Sequence, residues 1–269
     1  MPHINYKDTE LKTLPFLEQA MVFATFSSHA YLNKEKGTKT FNECGFDATL
    51  IDVNSSQVWF LKNDHDMVLV CRGTEPTEFK DIASDLKFKP VASTTGTKYV
   101  HRGFKESVDN IWPEFSEIAN DYGKTRTIWC TGHSLGAAMA TLAAYRLQKA
   151  EDLPSPEALF TYGSPKVGTK TYIEKITNTG LQHYRFVNNA DIVTRVPMWP
   201  YQHFGDMQYM NHYGNLREMT SWQVTKDRLR GFWVGIKRGE INYFTNHSIE
   251  RYAKHLTKLA AEEKNNGLT

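Results

Sequence analysis

The sequence has few cysteines, almost no net charge and no long hydrophobic run. Its 269 residues include three cysteines, an odd and low number that excludes a disulfide scaffold. Cys71 and Cys130 each end an apolar run, so we expect both to be buried thiols. No apolar run approaches the roughly 20 residues that a membrane-spanning helix needs, so no transmembrane segment is expected. Lysine and arginine total 32 against 30 acidic residues, which leaves no basic excess for binding nucleic acid.

The amino-terminal end also lacks a basic start followed by an apolar stretch, the pattern of a secretory signal peptide. We therefore expect a cytoplasmic protein, with export by a leaderless route as the alternative. What the chain does have is a globular composition, with 40% hydrophobic and 23% charged residues. Its length suits a single domain over residues 1–269.

Apolar residues recur along the chain at two spacings. Short apolar runs of the kind found in strands occur at 49–53, 57–61, 67–71, 127–131, 158–162 and 181–188. Apolar residues recur at helical spacing in the segments 14–32, 103–122, 137–149 and 248–263. Strands that alternate with helices are typical of βαβ units, so the sequence predicts an α/β fold with a mainly parallel central sheet flanked by helices.

The residues Gly132-His133-Ser134-Leu135-Gly136 match the pattern Gly-x-Ser-x-Gly. The motif follows an apolar run and opens an alanine-rich helix, which is the setting of a nucleophile elbow. In such an elbow the serine occupies a strained turn, and the residues two positions away must lack side chains so that strand and helix can pass closely. We therefore predict that Ser134 is a nucleophile, with an ordinary glycine-rich turn as the alternative.

A serine nucleophile needs a histidine base and an acid that orients the histidine, in the chain order Ser, Asp or Glu, His for this kind of fold. Asp191 follows a predicted strand, which places it at the sheet edge that holds the elbow. Asp206, Asp227 and Glu218 are weaker candidates because no clear strand precedes them.

Four histidines after the predicted acid are candidates for the base. His247 directly precedes the last predicted helix, and from such a loop position its imidazole could reach across the sheet edge. His255 would lie within that helix, while His203 and His212 fall in a polar, tyrosine-rich loop. The pattern therefore favours His247.

Six short segments carry a wider pattern. They are Cys71-Arg-Gly-Thr74, Val100-His-Arg-Gly-Phe104, Thr131-Gly-His-Ser-Leu-Gly-Ala137, Thr161-Tyr-Gly-Ser-Pro-Lys-Val-Gly168, Asp191-Ile-Val-Thr-Arg-Val-Pro197 and His247-Ser-Ile-Glu-Arg-Tyr252. Together, and in this order, they resemble the class 3 lipases, the α/β-hydrolase family that includes the triacylglycerol lipases of filamentous fungi. The resemblance runs from about Phe16 to Tyr252 and covers most of the chain.

The resemblance implies a serine hydrolase that cleaves carboxylic esters of acylglycerols, with Ser134 as nucleophile, Asp191 as acid and His247 as base. It also implies an oxyanion hole formed by the backbone N–H groups of Leu135 and Thr74, the Thr74 hydroxyl assisting. Such donors can each lower a reaction barrier by about 2.7–4 kcal/mol. Neither a metal ion nor an organic cofactor is implied.

In this family an amphipathic lid follows the oxyanion residue, which corresponds here to 75–86. One helical stripe in that segment is formed by Phe79, Ile82, Ala83 and Leu86. A lid of this kind covers the serine in water and turns its stripe to lipid at an interface. The alternative is a surface helix packed with the stripe inward. His101, in the second of the six segments, is expected to be structural or to support the lid.

Other substrates and roles remain open at the level of sequence. The same triad could act on a phospholipid or a polar aryl ester, belong to a toxin that attacks membranes, or be retained in a non-catalytic lipid-binding protein. The segment 221–239 mixes tryptophan with basic residues and suggests a membrane-surface helix or a core-packed helix with a solvated face. The aromatic segment 198–213 is a candidate wall of an acyl pocket.

Overall fold

The computed structural model describes residues 4–73, 90–94, 99–220, 222–228 and 245–267. In chain order its strands are β1 (Asp47–Val53), β2 (Ser56–Lys62), β3 (Asp66–Cys71), β4 (Pro90–Ala92), β5 (Tyr99–His101), β6 (Thr127–His133), β7 (Ala158–Tyr162), β8 (Gly168–Thr169), β9 (His183–Asn188), β10 (Tyr201–Gln202) and β11 (Asp206–Met210). Its helices are α1 (Phe16–His29), α2 (Lys34–Glu43), α3 (Arg102–Tyr122), α4 (Leu135–Lys149), α5 (Lys170–Thr177) and α6 (Ile249–Asn266). Residues 222–228 are also helical.

The main sheet contains seven strands in the order β1-β2-β3-β6-β7-β9-β11. From β3 to β11 every neighbouring pair is parallel, and only β1 and β2 add antiparallel pairs at one side. This confirms the α/β fold with a mainly parallel sheet that the periodicity predicted. A second, antiparallel sheet joins β10, β8, β5 and β4, strands too short to leave a periodic signal in the sequence.

Hydrophobic side chains cover both faces of the main sheet, because successive residues of a strand point to opposite faces. In β6, Ile128 and Cys130 belong to the core that contains α3, α4 and α5. Trp129, between them, belongs to the core that contains α1 and α6. Complete burial of such a large side chain stabilises the fold by about 1.5–3 kcal/mol. The fully apolar pattern of the central strands follows from this two-sided burial.

The central helix α4 begins immediately after Ser134. Most of its surface is buried, from Gly136 to Leu147, and its many alanines allow it to lie close to the sheet. The predicted buried thiols are confirmed: Cys71 and Cys130 are both inaccessible, and burial raises the pKa of Cys130 to about 12. The close packing of α4 holds the first turn of the helix, and with it Ser134, at the carboxyl edge of the strands.

Helix α2 has no counterpart in the predicted pattern. Its sequence is polar, and only Gly37 and Phe41 are buried, so it carries too little apolar repetition to be recognised. Asn33 caps its first turn by accepting a hydrogen bond from the N–H of Lys36 at 3.0 Å. Within the described ranges, no helix is both long and apolar enough to cross a membrane.

Candidate active site

Ser134 lies in the turn between β6 and α4 with φ 58° and ψ −129°, a backbone conformation that costs free energy for any residue other than glycine. The two glycines of the motif permit this turn. A Cβ at Gly132 would lie 2.5 Å from the carbonyl oxygen of Gly136. A Cβ at Gly136 would in turn collide with the backbone of Cys71 at the end of β3. The spacing of the motif therefore reflects direct backbone contact, as the sequence pattern implied.

Asp191, His247 and Ser134 are joined in that order by hydrogen bonds, which form a single row. The Oγ of Ser134 donates to Nε2 of His247 at 2.8 Å. On the other side of the ring, Nδ1 of His247 donates to Oδ2 and Oδ1 of Asp191 at 2.9 and 3.1 Å. All three side chains are buried, and Asp191 has no exposed surface. The structure thus brings together the three residues that the sequence predicted, over chain distances of 56 and 113 residues.

Further donors hold the carboxylate of Asp191 in place. The backbone N–H of Val193 donates to Oδ1 at 2.9 Å, and the phenol of Tyr252 donates to Oδ2 at 2.7 Å. The Tyr252 oxygen itself accepts a hydrogen bond from the N–H of Asn188 at 2.9 Å. Burial and the neighbouring carboxylate raise the pKa of Tyr252 well above its usual value, so it remains a donor. Sequence reasoning did not identify Tyr252, although it ends the segment that begins with His247.

Gly163 packs directly against the contact between Asp191 and His247. It follows β7 with φ 60°, in the region that favours glycine. A Cβ at this position would lie 2.8 Å from Asp191 Oδ2 and 2.8 Å from His247 Nδ1. The absence of a side chain therefore leaves room for the hydrogen bond. Sequence reasoning did not assign a role to this glycine, since nothing local marks its distant neighbours.

The ring of His133 packs against the ring of His247, with centroids 4.5 Å apart and an angle of 32° between the ring planes. Its Nε2 donates to the backbone carbonyl of His247 at 2.6 Å, and its Nδ1 accepts from the Tyr31 hydroxyl at 2.9 Å. Burial, together with the neighbouring His247, lowers the pKa of His133 well below 6.5. His133 is therefore a neutral support that fixes the backbone of His247.

The remaining histidine candidates lie in other contacts. Nε2 of His203 donates to the carbonyl of Thr194 at 2.6 Å. His255 packs against Gly214 on the outer part of α6. His101 is buried beside Phe104, with ring centroids 4.2 Å apart. These histidines make structural contacts, and none of their rings is hydrogen-bonded to Ser134.

The alternative acids also lie elsewhere. Asp206 and Glu218 are exposed. Asp227 accepts hydrogen bonds from Asn189, Tyr209 and the N–H of His212 at 3.0, 3.0 and 2.9 Å, so it braces the helical stretch 222–228. Asp191 is the candidate acid that contacts His247.

The amino end of α4 is the part of the predicted oxyanion site that the structure describes. The N–H of Leu135 is the first of the helix, and the first four N–H groups of a helix have no acceptor within it. They also lie at the positive end of the helix dipole. Gly73 approaches this turn closely, since a Cβ there would lie 3.2 Å from the Cβ of Ser134. Thr74, the predicted second donor, lies outside the described residues.

The predicted lid at 75–86, with Phe79, Ile82, Ala83 and Leu86, also lies outside the described residues. In the aromatic segment 198–213, Tyr201, Phe204 and Tyr209 are buried in the core, whereas Met198 and Trp199 are 76% and 92% exposed. The role of this segment as the wall of an acyl pocket stays a prediction.

The basic, tryptophan-bearing segment 221–239 is described only at 222–228. Val224 there packs on Val187 and Tyr209, while Trp222 is 64% exposed. The described part therefore combines a core contact with an exposed aromatic ring.

A parallel sheet with a strained serine turn after a central strand, and with a buried histidine and aspartate at the same edge, defines an α/β-hydrolase. The family model for lipases of class 3 matches residues 68–201, a range that contains Ser134 and Asp191. The chain belongs to the class 3 lipase family.

Two curated relatives and one solved structure illustrate the similarity. The toxin TseL of Vibrio cholerae is 38% identical over 128 residues, which make up 46% of this chain and 19% of that protein. A lipase of Rhizomucor miehei is 33% identical over 157 residues, 56% of this chain and 42% of that protein. The structure of a Rhizomucor miehei lipase–propeptide complex aligns with a TM-score of 0.66 at 23% identity, over 72% of this chain and 66% of that one. The chain spans less than half the length of these two curated relatives.

Proposed function

We propose that the protein is a serine carboxylic-ester hydrolase of the lipase type, acting on acylglycerols through an acyl-enzyme. The observation that carries this proposal is the buried row of hydrogen bonds from Asp191 through His247 to Ser134. Such a row activates a serine hydroxyl, because the imidazole takes its proton as the oxygen attacks. Membership of the class 3 lipases supports the same activity.

In the first half of the reaction, Ser134 Oγ attacks the ester carbonyl carbon and passes its proton to Nε2 of His247. The carbonyl oxygen becomes negative near the N–H of Leu135, at the positive end of α4. The C–O bond to the alcohol then breaks, and His247 returns the proton to the departing alkoxide. The acyl group remains on Ser134 as an ester.

In the second half, water takes the place of the alcohol. His247 removes a proton from the water as it attacks the acyl carbon, and Ser134 leaves with that proton. The fatty acid is released and the enzyme returns to its starting state. Asp191 accepts from Nδ1 throughout, which keeps Nε2 directed at Ser134 and stabilises the imidazolium that forms.

A lipid–water interface fits the surface beside this site. Met198 and Trp199 are adjacent, strongly exposed and apolar, and large apolar side chains on a surface often mark a binding region. Their loop is joined to the segment after Gly163 by a hydrogen bond of 2.8 Å from the N–H of Lys166 to the carbonyl of Val196. An enzyme that contacts lipid through this loop would present the site edge to the membrane surface. The lid over 75–86 and the role of Thr74 stay predictions.

The proposal is tested with p-nitrophenyl butyrate, p-nitrophenyl palmitate and a tributyrin emulsion, each given to the wild type and to Ser134→Ala. We expect hydrolysis that depends on Ser134 and that rises when tributyrin exceeds its solubility. Equal hydrolysis by Ser134→Ala would contradict the proposed nucleophile. Hydrolysis of soluble butyrate alone would retain the nucleophile but make the protein an esterase of polar substrates.

A second candidate function is that of a membrane-directed toxin, favoured by the 38% identity to the toxin TseL over 128 residues. The chemistry would be the same, with membrane lipid as substrate. Directing the protein to a bacterial periplasm should then arrest growth, and Ser134→Ala should abolish the arrest. Normal growth with the wild-type protein present in the periplasm would exclude this role.

A further inference from the structure

Arg185 is a charged side chain buried within the strand β9. Only 7% of its surface is exposed, and its Nε is sealed from solvent with no hydrogen-bond partner among the described residues. Burial lowers the pKa of Arg185 to about 10, so the guanidinium is still charged at neutral pH. Burying a charge without a partner is costly, and a protein rarely retains one without a compensating group.

The position of Arg185 follows from the alternation of side chains along β9. His183 and Val187 lie on the same face of the strand, two residues to either side. The ring of His183 contacts Phe204 with centroids 5.1 Å apart, and Val187 packs on Val224 of the stretch 222–228. Arg185 therefore lies on the face of β9 that packs against Phe204 and the helical residues 222–228.

Other cationic residues lie on the segments next to Arg185. Arg228, in the helical residues 222–228, donates from Nε to the carbonyl of Asn189 at 3.2 Å. Arg195 is exposed in the loop after Asp191, and the N–H of Lys166 donates to the next residue of that loop, Val196. Burial and the charge of Arg228 lower the pKa of Arg195, whereas Tyr209 and the charge of Asp191 raise it. Arg195 and Arg228 are thus close enough to repel each other.

The pKa of His203 also responds to this concentration of positive charge. Burial lowers its pKa to about 3, and the charges of Arg185, Lys166 and Arg228 act in the same direction. Its ring donates to the carbonyl of Thr194 and stays neutral at physiological pH. His203 is therefore an uncharged neighbour of these cationic residues.

The neighbouring carboxylates are already engaged. Asp191 accepts from His247, Tyr252 and Val193, and Asp227 accepts from three donors that are not arginines or lysines. Within the part of the chain that the structure describes, Lys166, Arg185, Arg195 and Arg228 have no salt bridge to a carboxylate. The guanidinium of Arg185 therefore has no counter-ion among the described residues.

We propose that Lys166, Arg185, Arg195 and Arg228 form a binding site for a phosphate group beside the candidate active site. Phosphate carries the charge that the cluster lacks, and guanidinium groups bind it through paired hydrogen bonds. The phosphate can be inorganic or can belong to the headgroup of a glycerophospholipid. The second possibility rests on the proposed function, and it would make a phospholipid a substrate of the enzyme.

Binding itself is measured without any ester hydrolysis. The wild type is unfolded thermally in increasing sodium phosphate or glycerol 3-phosphate, against sodium chloride of equal ionic strength. We expect a saturable rise in Tm with phosphate only, because a ligand that binds the folded state stabilises it. A Tm that is the same in phosphate and chloride would overturn the site.

Two variants and one control locate the effect. Arg195→Gln alters an exposed residue and should fold normally but lose most of the phosphate-dependent rise in Tm. Arg185→Met removes the unpaired buried charge, so without phosphate it should unfold at a temperature at least as high as the wild type and should not respond to phosphate. Lys124→Gln removes an exposed charge at the opposite end of β6 and should respond like the wild type. A full response in both arginine variants would overturn the assignment.

The source of the phosphate is decided by substrate preference. Vesicles of phosphatidylglycerol and soluble p-nitrophenyl butyrate are compared, and the ratio of the two rates should fall about tenfold in Arg195→Gln. A phosphate-dependent Tm with an unchanged ratio would support the site for free phosphate and overturn the headgroup as its ligand. Failure of the proposed function itself would be separate, since Ser134→Ala would then hydrolyse the butyrate ester as well as the wild type.

Discussion

The phenol of Tyr252 donates a hydrogen bond of 2.7 Å to Oδ2 of Asp191, the oxygen that also accepts from His247 at 2.9 Å. Tyr252 lies in the first turn of α6, which begins two residues after His247, and it is fully buried. Its oxygen is itself fixed by the N–H of Asn188 at the end of β9. Helix α6, which follows the histidine, and strand β9, which precedes the acid, are therefore joined through one phenol.

Replacement of Tyr252 by phenylalanine tests this contact. The variant keeps the ring but removes a hydrogen bond to a charged group, which is worth about 1.5–3 kcal/mol. We expect kcat to fall roughly tenfold or more, with little change in KM, because substrate binding does not involve the phenol. The measurement is steady-state hydrolysis of p-nitrophenyl butyrate, with Tm as a check on folding. An unchanged kcat would show that Asp191 is held sufficiently by its other donors.

A methyl group at Gly163 should disturb the row of hydrogen bonds directly. In Gly163→Ala the new Cβ would lie 2.8 Å from atoms of both Asp191 and His247, so we expect a loss of kcat of about 10²-fold or more. Gly180→Ala is the matched control. Gly180 also has a positive φ, of 75°, but nothing lies within 4 Å of its Cβ position. Both variants should lose about 1 kcal/mol of stability from the backbone alone, whereas only Gly163→Ala should lose activity.

The choice of base is tested by three histidine variants. His247→Ala removes the group that contacts Ser134 at 2.8 Å, and we expect activity to fall about 10³-fold or more. His255→Ala and His101→Ala remove rings that lie in other contacts, and both should retain most of the activity per folded molecule. Rates are normalised to the folded fraction measured by circular dichroism. A comparable loss in His255→Ala would contradict the assignment of the base.

The exposed loop should contribute to lipid binding. Trp199 is 92% exposed, and burial of a large aromatic side chain at a lipid surface contributes on the order of 1.5 kcal/mol. We therefore expect Trp199→Ser to bind phospholipid vesicles about tenfold more weakly in a sedimentation assay. Tyr122→Ser, which alters an exposed ring at the opposite end of β6, serves as the control. Equal vesicle binding by the wild type and both variants would contradict a role for this loop in lipid binding.

Buried neutral histidines should make the fold sensitive to mild acid. Burial lowers the pKa of His101 to about 4 and that of His203 to about 3, while an unfolded histidine titrates near 6.5. Below pH 6.5 the unfolded chain therefore binds more protons than the folded one, and the free energy of unfolding decreases. Each of these two residues contributes about 1.4 kcal/mol per pH unit down to its folded pKa.

The pKa values of His133 and His183 are shifted in the same direction by burial. For Asp66 the sign is opposite, since burial raises the pKa of a carboxyl and thereby favours the folded state in acid. Four histidines outweigh this one group between pH 7 and 5. Urea unfolding across that range should show a steep loss of stability, and a constant free energy of unfolding would contradict the expected balance.

Much of the fold could be predicted from periodicity alone. The strand at Ala158–Tyr162 and the helices around α3, α4 and α6 coincide with the expected segments to within a few residues. Helix α2 could not be predicted, because its polar sequence depends on a cap and on contacts with the sheet. The second sheet was also missed, since strands of two or three residues carry no periodic pattern.

The local chemistry can be predicted from sequence alone: a serine lies between two glycines, after an apolar strand and before an alanine-rich helix. Backbone contacts leave no room for a side chain at either glycine. The sequence also marked Asp191 and His247 by their places next to predicted elements. The groups that support these two residues could be found only from the folded chain. Tyr252 and Gly163 act through contacts between distant parts of the chain, and such contacts depend on how the strands and helices pack.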